Sequence, residues 1–119
     1  MFKFNGIANS FNGVNAALNF LVNDYWYHIT DDGDINYALR FDMSTKTCDK
    51  FNSIGNIVDS GKWSVAKTSA IEINLLLSQS DNFVINFIDD KYLVVDSLRL
   101  RDKIMFMSQT FHSNMAKEY

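Results

Sequence analysis

At 119 residues the chain has the length of one domain, able to bury roughly two-thirds of the surface its unfolded form exposes. A formal charge of −3 speaks against a general electrostatic hold on nucleic acid, and the lone Cys48 excludes an internal disulfide framework and fits a reducing compartment. No apolar run reaches the length of a membrane span, and Asn5, Gly6, Asn9 and Ser10 interrupt the targeting-like start Met1-Phe2-Lys3-Phe4, so the expected product is soluble and cytoplasmic.

In chain order, Phe2 and Phe4 read as an arm. From Ser10, placed as an N-cap, the apolar spacing becomes helical through Phe11, Val14, Ala17 or Leu18, Leu21 and Val22. Asn12, Gly13, Asn15 and Asn19 form helices poorly, so this helix needs a surface to pack on, either a sheet or the end of a barrel. Strand formers follow at Tyr25-Trp26-Tyr27-His28-Ile29, and Asp31-Asp32-Gly33-Asp34 reads as a hairpin turn. Ile35, Tyr37, Leu39, Phe41 and Met43 then alternate with polar residues, as a strand with one buried face requires. Ser44-Thr45-Lys46 turns the chain back, and the irregular return through Val58 calls for a bulge or loop near Gly55.

The central hairpin is Ser60-Gly61-Lys62-Trp63-Ser64-Val65, released by a turn at Gly61, with Ile71, Ile73, Leu75 and Leu77 on one face of the next strand. Phe83 to Ile88, Tyr92 to Leu100 and Lys103 to Met107 give further strands, with Arg99, Arg101 and Lys103 expected as a solvated, alternating basic set. Phe111 to Tyr119 reads as loop or frayed helix. The expectation is one mainly β domain: an arm and helix over 1–23, an antiparallel up-and-down barrel of about eight strands over 24–108, and a tail over 109–119.

The order of the helix stripe, Leu21-Val22-Asn23-Asp24-Tyr25-Trp26, the strand ending Phe41-Asp42, Ser60-Gly61-Lys62-Trp63-Ser64, Ile71-Glu72-Ile73, Phe83-Val84-Ile85 and Leu93-Val94-Val95 resembles the small bacterial lipocalin-like domains over residues 20–107. It departs from them at Asp24, where relatives often carry glycine, and in lacking their lipoprotein signal. The resemblance implies an up-and-down barrel with a non-catalytic binding role.

Such a barrel is either filled by its own side chains or just wide enough for one small molecule. The inward set, with Tyr37, Phe41, Trp63, Phe83 and Phe87, is bulky and favours filling; in the alternative, an apolar ligand lies against Tyr37, Phe41, Trp63 and Phe87, with Tyr37 or Trp63 supplying the polar contact. On the opposite face Leu76, Val84, Ile88, Val94, Met105 and Met107 make a greasy surface that needs a cover. The helix is the economical cover; a protein partner or a second copy is the alternative.

Neither His28 nor His112 stands in a triad motif, and no phosphate-cradling loop, metal-ligand spacing or nucleophile elbow occurs, so no catalytic residue, metal or cofactor is expected. Two function classes follow. One is a binding module for a small apolar ligand; the other is an interaction or assembly subunit, such as an inhibitor, an immunity-type protein or a structural component.

Overall fold

The computed structural model describes residues 11–67 and 70–117. Helix α1 (Phe11–Val22) leads into eight strands: β1 (Tyr25–Ile29), β2 (Ile35–Phe41), β3 (Thr47–Asn52), β4 (Ile57–Lys67), β5 (Ile71–Leu76), β6 (Asp81–Ile88), β7 (Tyr92–Ser97) and β8 (Asp102–Ser108). Each strand pairs antiparallel with the next, and β8 returns to β1 through Tyr27 opposite Met107, closing the barrel without an edge. Helix α2 (Gln109–Lys117) follows. The arm residues Phe2 and Phe4 and the expected cap Ser10 lie outside the described residues.

Short aspartate side chains fold many of the turns. Gly33 takes φ +88° and its N–H donates to Thr30 O at 2.9 Å, as the Asp-Gly pair predicts. Asp42 Oδ1 accepts from the N–H groups of Ser44 and Thr45 at 2.8 and 3.1 Å, and Asp89 Oδ1 accepts from those of Lys91 and Tyr92, each at 2.8 Å.

Helix α1 contains Gly13, worth about 1 kcal/mol against a helix relative to alanine. Burial of Leu21 beside Ala17 offsets this, since one fully buried leucine contributes about 1.5–3 kcal/mol. The helix contacts β2 and β6, which stand on opposite sides of the barrel, so it lies across one end. Its last carbonyls are closed from below: Trp26 Nε1 donates to Leu21 O at 2.9 Å, and the Arg40 guanidinium donates to Val22 O at 3.0 Å. A cation at a helix C-terminus also meets the negative end of the dipole.

Helix α1 is therefore a lid on the interior, and the expectation that it covers the outer greasy face is corrected. That face is met near this end by α2 instead, where the Phe111 ring lies 5.4 Å from Tyr92. The tail is a helix because Ser108 caps it, its Oγ accepting from Phe111 N–H at 3.2 Å.

Three bulges account for the other departures from strict alternation. Tyr37 pairs with His28 but Ile35 pairs with Ile29, leaving Asn36 extra; Lys50 pairs with Asp59 but Phe51 with Ile57, leaving Val58 extra; Ile85 pairs with Val95 but Phe87 with Val94, leaving Asn86 extra. Each extra residue reverses the facing of what lies beyond it. Ile35 is turned outward, while Phe87 and Ile88 exchange sides.

Gly61 is not in a turn. It lies within β4 opposite Cys48, and a β-carbon there would stand 2.0 Å from Leu76 O, so it is glycine because the end of β5 crosses it. Met43 lies in the β2–β3 turn, and Arg99 and Arg101 lie in the β7–β8 turn, where Arg101 takes φ 55°; only Lys103 of the expected basic set is on a strand.

Candidate functional site

The interior is filled towards α1 and open at the other end. In the filled half Phe41 and Trp63 meet edge to face, with ring centroids 5.5 Å apart and planes at 87°. Trp63 Nε1 donates to Asp42 O at 3.0 Å, which satisfies the indole without any ligand. Both residues are core, and neither reaches the open end.

At that end a cavity of about 300 Å³ lies between the strand termini. Leu39, Leu75, Phe83 and Ile104 form its apolar floor, continuous with the barrel core. Tyr37, Lys50, Asp59, Asp81 and Arg99 rise around it. Register explains their facing: Lys50 pairs with Leu39 on one side and with Asp59 on the other, so all three look inward.

Tyr37 is held from both sides. The His28 ring stacks on it at 5.0 Å and 24°, and the Lys50 ammonium sits 4.6 Å from its ring centroid. Burial, reinforced by Asp81 and opposed by Arg99, pushes the Tyr37 hydroxyl up to about 12, so it remains a hydrogen-bond donor at neutral pH. Burial also holds the His28 imidazole below its ordinary value.

The carboxylates are saturated differently from the cations. Asp59 accepts from Ser78 N–H at 3.0 Å, Ser78 Oγ–H at 2.9 Å and Ser60 N–H at 2.9 Å. The Ser78 N–H bond leads in holding its carboxyl below the ordinary range, with lesser help from the Lys50 charge. Asp81 accepts from Ser97 Oγ–H at 2.5 Å, Arg99 N–H at 3.0 Å and Asn82 N–H at 2.7 Å. By contrast, the Arg99 side chain has only a loose 3.9 Å approach from Nε to Asp81, and among the described residues none accepts a hydrogen bond from the Lys50 ammonium or the Tyr37 hydroxyl.

Of the four residues expected against a ligand, Tyr37 alone lines this cavity. Phe87, sent outward by the Asn86 bulge, is 4% exposed yet outside the core cluster. The expected outer set also divides. Ile88 is fully buried in the core, whereas Leu76 and Met105 are 60% and 58% exposed and Val84 and Met107 are half-buried. An ion pair between Lys103 Nζ and Asp96, 2.8 Å long, stands next to Val84 on that face, so it is not continuously apolar.

Lys50, Asp59, Asp81 and Arg99 were missed because charge on a half-buried strand suggests solvent. Parity could have found three of them: Lys50 lies two residues beyond Cys48, Asp59 two before Gly61 and Asp81 two before Phe83. Arg99 comes in from a turn and carries no such signal.

Comparison with known protein families, curated proteins and solved structures finds no match for this chain. Among the described residues no helix is long and apolar enough to cross a membrane, and no cluster of histidine, cysteine or carboxylate side chains could hold a metal ion.

Proposed function

We propose that this chain is a non-catalytic, lipocalin-like binding module that takes one small, largely apolar molecule into the open end of its barrel. The observation that carries the reading is the cavity of about 300 Å³ over a floor of Leu39, Leu75, Phe83 and Ile104, at the lower edge of the size of small-molecule sites. A closed, antiparallel eight-stranded barrel in sequential order supports the lipocalin-like architecture. The non-catalytic role is supported by Asp59 and Asp81, whose oxygens are taken up by structural hydrogen bonds.

Methyl-resolved NMR with 1-octanol as the probe tests this. Shifts are expected at Leu39, Leu75 and Ile104, and Leu75→Trp, which fills the space, should abolish them while leaving a cooperative melt. Shifts confined to the outer methionines, or binding unchanged by Leu75→Trp, would reject the site.

A second reading, an interaction or assembly subunit or a homo-oligomer, draws on the exposure of Leu76 and Met105. Its test is the molar mass in solution before and after Met105→Glu: an assembly that dissociates into folded monomers supports it, and a monomer in both cases speaks against self-assembly.

A further inference from the structure

We infer that the molecule taken up at the barrel mouth is an amphiphile with one carboxylate head, held by Lys50 and Arg99 with the Tyr37 hydroxyl as an additional donor, and an apolar tail of about seven carbons. This rests on the reading of the mouth as a binding site and names the chemistry of what enters it.

The argument is an inventory of donors and acceptors around one cavity. An ionised carboxylate offers about four acceptor positions. Asp59 uses three on Ser78 N–H, Ser78 Oγ–H and Ser60 N–H, and Asp81 uses three on Ser97, Arg99 and Asn82. A ligand bearing an ammonium or another donor would find little acceptor capacity left. The donors are the reverse case. An ammonium has three N–H donors and a guanidinium five. Lys50 rests over the Tyr37 ring, where the attraction is to a π face and consumes no directed acceptor. Arg99 keeps its terminal nitrogens for a ligand because its approach to Asp81 is through Nε at 3.9 Å, and its side chain is 42% exposed.

Tyr37 connects the two cations. Its ring carries Lys50, and its hydroxyl lies in the field of Arg99 and Asp81, so all three donors border one space. An anion placed there meets charge-assisted hydrogen bonds, about twice as strong as neutral ones. The floor beneath is wholly apolar, which sets the remainder of the molecule. At roughly 30 Å³ per water-sized group, 300 Å³ holds about ten non-hydrogen atoms, one carboxylate carrying a short tail.

Calorimetric titration with octanoate, 1-octanol and octylamine at low salt separates the possibilities. Octanoate is expected to bind at least tenfold tighter than octanol, which is the factor that one charged hydrogen bond of about 1.4 kcal/mol supplies, and octylamine more weakly than either. Lys50→Met and Arg99→Met should each bring octanoate down towards octanol, so that the ratio of the two affinities falls from tenfold or more towards one. Lys50→Arg, which retains the charge, should keep the preference, and each variant is checked by its melting curve. Octanol or octylamine binding as tightly as octanoate would overturn the carboxylate assignment and leave the mouth standing as a binding site. If none of the three binds, the mouth reading falls and this inference falls with it.

Discussion

Adding one methyl group at Gly61 should destabilise the barrel, although strand propensity alone predicts the opposite. In a strand interior glycine costs roughly 0.5–1 kcal/mol relative to alanine, so Gly61→Ala starts with a gain of that size. Against it stands the β-carbon position, 2.0 Å from Leu76 O, 2.8 Å from Leu76 C and 3.2 Å from Leu77 Cα. Contacts under 3.0 Å essentially never occur, so the end of β5 must retreat by about 1 Å, and the obstacle is backbone, which has no rotamer to change. Overpacking that forces backbone shifts of this kind costs typically ~1–3 kcal/mol and occasionally more. The cost exceeds the gain, and the net loss should be about 1–2 kcal/mol. At about 4 °C per kcal/mol for a domain of this length, Tm should fall by about 4–8 °C in a scanning calorimeter.

Gly55→Ala is the control, since Gly55 has open space but φ +92°, so its cost is backbone strain alone. Gly55→Asn should recover part of that loss because asparagine tolerates the left-handed region, whereas Gly61→Asn should be worse than Gly61→Ala. An unchanged or raised Tm for Gly61→Ala, with amide shifts at Leu76 and Leu77 undisturbed, would refute the crossing of β5 over β4.

The Asn86 bulge makes Ile88 core and leaves Met105 outside, so Ile88→Ala should cost about 2–5 kcal/mol in urea unfolding while Met105→Lys stays within about 0.5 kcal/mol; equal losses would reject the bulge. In an absorbance titration Tyr37 should ionise last, near 12, and Tyr37→Phe should remove that step. Because its folded value is raised above the unfolded 10.0, its contribution to stability is complete below pH 10 and is lost as pH rises towards 12, so the wild-type melt should weaken over that window more than the Tyr37→Phe melt. Burial, with Asp49 and Asp59 adding to it, pushes the Cys48 thiol up to about 12; a thiol reagent at pH 8 should therefore label it only at the rate of unfolding, and fast labelling of the native protein would show that the thiol is not enclosed.

Period-two alternation located the strands because it depends on little beyond burial: Leu39 and Phe41, Ile71 to Leu75 and Phe83 to Ile85 all sit on the faces their spacing assigns. The irregular spacing before Val58 called for the bulge or loop found near Gly55, but the bulges at Asn36 and Asn86 were not legible because no distinctive residue marks them, and one uncounted position is enough to reverse Ile35, Phe87 and Ile88. Gly61 shows the opposite difficulty. A glycine before a strand reads as a turn, yet its reason is a contact with Leu76, fifteen positions away and on another strand. The candidate site was legible only through Tyr37, because a charge such as Lys50 is assigned to solvent unless the interior is known to be open.

The same device explains why bulky inward residues and a cavity coexist. Counting by two from Tyr37 and Asp59 would place Ile35 and Ile57 inside the open end, where two large aliphatic side chains would occupy the space now empty. The extra residues Asn36 and Val58 put both outside, and Ile57 is accordingly exposed. At the opposite end the extra Asn86 does the reverse, turning Ile88 inward to meet the cluster that includes Ala17 and Leu21 of α1. Small inward side chains are thus not needed for a pocket here. Register opens one end of the barrel and fills the other, and the charged residues of the mouth stand where the aliphatic layer was displaced.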